Sequence, residues 1–457
     1  MKPEKSQPIL RVPLHIVGGI LAQLDSMKQL APAILSHRLF LQAFNDNTQT
    51  ITTSIILNQI PERLLPFVAA VHRSTDVDTA DHDVVRSCLS NLEEAILNPR
   101  SIIPSFASFT PAQVATMSNT YTATLRLCQC YADDITPVIN ERLGINHPRT
   151  INQEETFRLA RAFLRFQLSC NLFCPVEGEP LSYEERSDRF FNIFSPWVND
   201  QLRCVYTYLE TKVVEAFDEV AAHDIVWGEL PIRSYLTPSE CPNIQGFLCQ
   251  SLSFLSQVCS SGSYDEWSAL LQLELLKPRW DFEPAGHLYY ELSESTVRAL
   301  NVDKEADPLE SYGSVRFEIL RNLQDGPQDD LSSSAFRMWF LAHKGKPILN
   351  SVCYRRDTNL FECGYVIWDY PELHEDALVP ALERANNSQR LIQRAEQWDQ
   401  DKIRLSENRR SDIFWSGGSG YWPSEGIDFS RVQGLSGNKK QRLLHHWGLA
   451  QPSKPKT

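Results

Sequence analysis

No stretch of this 457-residue chain comes near the roughly 18 consecutive apolar residues that a membrane-spanning helix requires. The opening MKPEKSQPIL also lacks the unbroken apolar run of a secretion signal. Positive charge is short as well: 44 Lys and Arg against 57 Asp and Glu leave a net charge of -13 and a pI near 5.4. A surface of that sign repels nucleic-acid phosphates, so neither nucleic-acid binding nor membrane association is expected as the main function. The expected compartment is the cytosol or the nucleus.

Cysteine is present but a cysteine framework is missing. Cys88, Cys128, Cys130, Cys170, Cys174, Cys204, Cys241, Cys249, Cys259, Cys353 and Cys363 make an odd number, eleven, with no regular spacing. Several fall on apolar helix faces, which suits small buried thiols in a reducing compartment better than disulfides. Cys128-x-Cys130 and Cys170-x3-Cys174 are pairs without a second Cys or His pair at finger spacing, so no zinc site is expected. The signatures H-E-x-x-H, G-x-S-x-G, G-x-G-x-x-G and the kinase set are all absent. His223-Asp224, His287, His343, His374 and His445-His446 stand scattered. No catalytic residue, cofactor or metal ligand is expected, and the chain does not read as an enzyme. Nor does any period of tens of residues emerge, which excludes leucine-rich and WD repeats.

What is there is apolar substance and one distinctive stretch. A hydrophobic content of 42% over 457 residues is enough for a substantial core in two or three domains. From Arg11 to Phe44 the chain runs RVPLHIVGGILAQLDSMKQLAPAILSHRLFLQAF. Val12-Pro13 predicts a helix start with proline at the first helical position. Ile16, Ile20 and Leu24 then share an apolar face. Ser26-x-x-Gln29 reads as a capping box opening a second helix. Leu30, Ile34 and Leu35 give a second apolar face, and Phe40 and Phe44 follow. Two or three short helices result, with more apolar surface than they can bury alone.

An apolar-Pro pair followed by Ile at plus three, Ile-Leu at plus seven and eight, Leu at plus eleven and a further leucine six later resembles an F-box. His15 stands where that family commonly has an acidic residue, and Gly18-Gly19 sits mid-helix at roughly 1 kcal/mol per glycine against alanine. The resemblance covers about a tenth of the chain. It implies docking on the Skp adaptor of a cullin-RING ubiquitin ligase through Pro13, Ile16, Ile20, Leu24, Leu30, Ile34 and Leu35, while the remainder holds a protein substrate. An ordinary N-terminal helical hairpin packed on its own domain would show the same pattern. Together with the long non-repeating helical body and the closing Trp422-Pro423 and Ser430-Arg431-Val432-Gln433-Gly434-Leu435 motifs, this arrangement is similar to that of F-box-like proteins of filamentous fungi over most of the chain, a resemblance that implies no catalytic residue and no cofactor.

The rest reads as helix after helix. Pro61 starts one through Leu64, Leu65 and Val68, and the polar run Ser74 to Asp81 is a loop. Val85, Cys88 or Leu89, Leu92 and Ile96 mark a helix; Thr110-Pro111 caps another through Val114, Met117, Tyr121 and Leu125. Asn152-x-x-Glu155 and Ser182-x-x-Glu185 are capping boxes. The first precedes Phe157, Ala160, Leu164 and Leu168; the second precedes Phe190, Phe191 and Phe194, and Trp197 then opens a run through Leu202, Tyr206, Leu209 and Val213. Such aromatic stripes read as core. Further helices are expected at Ile244 to Val258, Asp265 to Leu276, Ser293 to Leu300, Ser314 to Leu323 and Ala335 to His343. Ile348 to Tyr354 and Phe361 to Trp368, rich in β-branched and aromatic residues, predict a small hairpin around Arg355 to Asn359.

Past Pro371 a charged helix carries Leu391, Ala395, Trp398 and Leu405 on one narrow face. Phe414 to Pro423 is an aromatic, glycine-rich loop without the Gly-Lys-Ser/Thr ending of a phosphate loop, and is expected to dock its aromatics. From Arg431 onward the charged residues are all basic. The expected architecture is therefore mostly α: an F-box-like helical unit at 1–57, a non-repeating helical body at 58–375, and a helix, loop and basic tail at 376–457. The expected function is a substrate-recruiting adaptor of a cullin-RING ligase. A non-catalytic helical scaffold is the alternative, and a motif-poor helical tailoring enzyme comes behind it.

Overall fold

The computed structural model describes residues 12–143, 150–174, 181–191, 193–225, 242–275, 334–343, 358–370 and 375–386, with short pieces at 410–411, 414–415, 418–421 and 433–434. Helices take up 81% of the described residues, so the mostly α expectation holds. None of these helices is long and apolar enough to cross a membrane.

The first three helices are α1 (Leu14–Leu21), α2 (Met27–Ser36) and α3 (Arg38–Gln59). Non-helical dihedrals at Asn47 kink α3 partway. A 3-10 turn over Glu62–Leu64 then leads into α4 (Leu65–Ser74), with Pro66 in its first turn, where a missing N–H costs nothing. The polar run after Ser74 is a loop as expected, and Asp81 caps α5 (His82–Leu97) by accepting from the Asp83 and Val84 N–H groups. Val85, Leu89, Leu92 and Ala95 form its buried stripe.

After the short α6 (Ile103–Phe106) comes α7 (Pro111–Leu143), 33 residues and so about 50 Å long. Thr110 and Gln113 close a capping box at its start: the Thr110 N–H donates to Gln113 Oε1 at 2.8 Å, and the Gln113 N–H to Thr110 Oγ1 at 3.3 Å. Val114, Met117, Tyr121, Cys128, Tyr131, Ile135 and Ile139 bury along one side. Leu125, expected in that stripe, is 38% exposed, and Thr124 takes the inward position in its place.

Helix α8 (Gln153–Phe173) is held at its start by the expected Asn152/Glu155 capping box, with reciprocal bonds of 2.9 and 2.8 Å. It is buried on all faces, not along one stripe. The short α9 (Tyr183–Arg186) and a π-helical turn at Ser187–Phe191 lead to α10 (Pro196–His223), which packs along α8. Around this pair sit α4 and α7 against α8, and α11 (Pro242–Leu248), α12 (Leu252–Ser260) and α13 (Tyr264–Leu275) against α10, with α12 also packed on α7. The single helix expected from Ile244 to Val258 is thus two. The chain breaks at Cys249 to Ser251, where Ser251 caps α12 through the Phe254 N–H at 3.3 Å.

The remaining helices among the described residues are α14 (Ser334–His343), α15 (Thr358–Glu362) and α16 (Glu375–Asn386). The Phe361 to Trp368 segment is not a strand. It is the end of α15 and a turn at Gly364, whose φ is +62°. Its apolar richness reflects complete burial: Tyr365, Val366, Ile367 and Trp368 are each 0% exposed. A short apolar run carries no period by which a buried turn and a buried strand can be told apart. The expected partner strand at Ile348 to Tyr354, the helices at Ser293 to Leu300 and Ser314 to Leu323, the Leu391 to Leu405 stripe and most of the basic tail lie outside the described residues. Gly418–Ser419 and Gln433–Gly434 form a two-residue antiparallel pair, β1 and β2. Beside it Tyr421 stacks on His223 with ring centroids 5.0 Å apart, so the glycine-rich loop docks this aromatic on the end of α10.

Charge is built into the interior. Arg158 of α8 donates to the Ile367 carbonyl at 2.9 Å and to Asp369 at 2.8 Å. Arg161 reaches Gln201 at 2.5 Å, and Arg165 reaches the Val198 carbonyl at 3.0 Å and Asn199 at 2.7 Å. The Arg165 guanidinium also lies 3.6 Å from the centre of the Phe194 ring, an electrostatic attraction that strengthens out of water. Hydrogen bonds and rings of this kind offset the cost of removing the charges from solvent.

Candidate adaptor-binding face

The N-terminal helices have a small core of their own. Leu21, Leu30, Ile51 and Ile55 bury together, and Leu24, Met27, Ala33, Ile34, Phe40 and Phe44 pack around them. Helices α1 and α2 both rest on α3. The end of α1 is tied down by Asn58, whose side-chain amide donates to the Ala22 carbonyl at 3.0 Å. In turn α3 is tied to the body. Gln49 donates to the Phe106 and Phe109 carbonyls at 3.2 and 2.8 Å, and Ile56 and Ile60 belong to the main core. The boundary expected at residue 57 falls inside this helix, and the one expected at 375 falls at the start of α16.

Local chemistry at the two helix starts departs from the expected caps. Pro13 is the N-cap of α1, with φ -58° and ψ 142°, and Leu14 is the first helical residue. Ser26 is the N-cap of α2 but makes no side-chain cap bond. Gln29 reaches back to the Asp25 N–H at 3.1 Å, so only half of the expected box forms and it is displaced by one residue.

The outcome that matters is which face of each helix turns inward. On α1 the buried residues are Val17, Gly18 and Leu21. Ile16 and Ile20, one turn apart, point outward at 47% and 53% exposure, with exposed Pro13 and Gly19 beside them on the sequence. On α2 Leu30 is buried, Ile34 is half-buried and Leu35 is 79% exposed. The seven expected docking residues therefore divide. Leu30, Leu24 and Ile34 serve the small core, while Pro13, Ile16, Ile20 and Leu35 are left outside.

Helix α1 carries apolar residues both on the side that rests on α3 and on the side turned outward. Of the seven large hydrophobic side chains exposed among the described residues, Ile16, Ile20, Leu35 and Leu41 lie on these three helices. Singly scattered exposed hydrophobics need no explanation, and their concentration on one small unit makes it the candidate face. Gly18 faces α3 closely enough that a methyl would be in ordinary contact with Asn47 and Ile51, while Gly19 faces open space.

Other sites are weaker candidates for the principal function. A cleft between α4 and α5, lined by Ala70, Arg73, Cys88 and Leu92 among others, encloses about 180 Å³, below the roughly 300–1,000 Å³ usual for small-molecule sites. Asp224, flagged by its His223 neighbour, accepts from Tyr264 at 2.9 Å, Ser268 at 3.2 Å and Gln272 at 3.0 Å, which suits anchoring α13. One grouping was illegible from spacing. Cys249, between α11 and α12, comes to the Cys170-x3-Cys174 pair at the end of α8, and the three sulfur atoms lie within 4.8 Å of one another. The break after Leu248 that places Cys249 there interrupts an apolar period which otherwise runs straight through.

In comparison with known proteins, no family model, no curated protein and no solved structure matches this chain.

Proposed function

We propose that the chain is a substrate-recruiting adaptor that docks through α1 and α2 on the Skp adaptor of a cullin-RING ubiquitin ligase, its helical body holding a protein substrate. The observation that supports this reading is the division of the N-terminal apolar residues. Leu21 and Leu30 complete a small core with Ile51 and Ile55, and Ile16, Ile20 and Leu35 remain outside it. Helices held by a core of their own can present a second apolar face to a partner without reorganising. That lowers the ordering cost of binding. The F-box resemblance of Pro13 to Leu35 supplies the kind of partner.

The test is co-expression of the full chain with a Skp adaptor, followed by size-exclusion chromatography. Co-elution as a one-to-one complex is expected. Elution of the two proteins apart, with each folded, favours the non-catalytic scaffold. A specific observation speaks for that second reading: α3 is bonded into the body through Gln49 and Gln59 and contributes Ile56 and Ile60 to the main core.

A further inference from the structure

Cys170, Cys174 and Cys249 converge at one place from two parts of the chain. Cys170 lies in the last turn of α8 and is buried, Cys174 is the C-cap of that helix, and Cys249 follows the last residue of α11. Cys174 and Cys249 are half-buried. We propose that these three thiols bind a thiophilic d10 cation, Zn(II) or Cu(I), through a three-sulfur site.

The geometry supplies the first argument. Zinc holds thiolate sulfur at about 2.3 Å in tetrahedral array, which sets sulfur atoms roughly 3.8 Å apart. The three sulfurs already lie within 4.8 Å of one another, so side-chain rotation closes the remaining gap of at most about 1 Å without moving a helix. Soft thiolate sets of this kind select Cu(I) and Zn(II) over harder cations, and a three-ligand site leaves a position for water or a partner's ligand.

The second argument is topological. The cluster sits at the C-terminal ends of α8 and α11, so one ion would join two helix ends that are far apart in the sequence. The Cys170 thiol donates toward the Leu248 carbonyl across 3.9 Å. Each thiol that ligates gives its proton to solvent, and no electrons move. The ion ties the end of α8 to the junction of α11 and α12, so its binding raises the melting temperature of the whole chain.

The test uses the full chain, reduced and stripped of metal by a chelator. Titration with Co(II) should give a thiolate-to-cobalt charge-transfer band that saturates at one equivalent and vanishes on adding Zn(II). A separate titration with Cu(I), competed by a chromophoric Cu(I) chelator, distinguishes the two cations. Cys174→Ser and Cys249→Ser alter half-buried positions and should keep the helical circular dichroism while weakening binding at least tenfold; Cys88→Ser should leave it unchanged. Mass spectrometry after alkylation should find Cys174 and Cys249 protected by the bound metal. Loss of all binding of both cations at one equivalent overturns the proposal. So does binding that Cys249→Ser leaves intact, or that Cys88→Ser removes equally.

Discussion

The Tyr365 hydroxyl donates to the Asp200 carboxylate at 2.5 Å, joining residues 165 positions apart inside the core. The bond ties the turn after α15 to the first turns of α10. Burial pushes the Asp200 carboxyl up to about 6, although the Tyr365 bond and the nearby Arg203 both favour its charge.

A pH dependence follows from that position. The unfolded carboxyl titrates near 3.9, so between about pH 4 and about pH 6 the folded chain binds more protons at this site than the unfolded chain. Stability contributed here is full below the lower value and is lost as pH rises through the upper one, by about 3 kcal/mol in total. Asp200→Asn keeps an acceptor for Tyr365 and removes the titration. The melting temperature of Asp200→Asn relative to wild type should therefore rise between pH 4 and pH 7. Taking the difference cancels groups such as Asp369, which the neighbouring Arg158 helps to hold below the usual carboxylate range. A difference that stays flat across this window would mean that Asp200 is not held uncharged by its burial.

Gly364 makes a second prediction. Its φ of +62° lies in the left-handed region, and a Cβ there would overlap the Tyr131 hydroxyl and come within 3.1 Å of Trp368 Nε1. Backbone strain of about 1–3 kcal/mol and overpacking of similar size add. Gly364→Ala should lower unfolding free energy by roughly 2–6 kcal/mol, measured by urea titration. Gly19→Ala, facing open space on α1, should be neutral or stabilise by up to about 1 kcal/mol, since alanine is the better helix former.

Most of the helical order was legible because caps and periods are local. Asn152 with Glu155, Thr110-Pro111 and the Val85 to Leu92 stripe each lie within a few residues, and each helix formed where they indicated. What was not legible depended on distant partners. The turn at Gly364 looked like a strand because Tyr365 to Trp368 are needed as filling against Tyr131 and α10. Nothing local to α8 marks Arg158, Arg161 and Arg165 as buried, because their partners come from α10 and from Ile367 and Asp369. At the candidate face the apolar positions were visible, but not which of them α3 covers. Ile16 and Val17 are equally apolar, and only the packing direction of α1 separates them.

Cysteine chemistry gives a third prediction. The nine described cysteines are all thiols, and the denatured, unreduced chain should titrate as eleven. Within the native protein reactivity should split the Cys128-x-Cys130 pair. Cys128 is 3% exposed, and burial raises its thiol far above the ordinary range; Cys130 is half-buried beside Ser260. The thiolate is the reacting form, so iodoacetamide should modify Cys130 at least tenfold faster than Cys128, as followed by peptide mass spectrometry. Equal rates would contradict the inward placement of Cys128 on α7.

The division of the N-terminal residues allows docking and folding to be separated by neighbouring substitutions. Ile16 and Ile20 are outside the small core, and Leu21 and Leu30 are inside it. Truncating an anchor at an interface costs about 2 kcal/mol or more, roughly thirtyfold in affinity. Ile16→Ala with Ile20→Ala should therefore weaken Skp-adaptor binding by at least that factor in a pull-down or calorimetric titration, with the melting temperature held within about 2 °C. Leu35→Ala should act in the same direction. Leu21→Ala or Leu30→Ala leaves a cavity against α3 and should cost about 2–5 kcal/mol of stability instead. Leu24, half-buried against the same core, should show both effects in part. If the Ile16 and Ile20 pair lowers the melting temperature as far as Leu21→Ala does, α1 has no second face. If wild type and the pair bind the adaptor equally, the exposed isoleucines serve another partner.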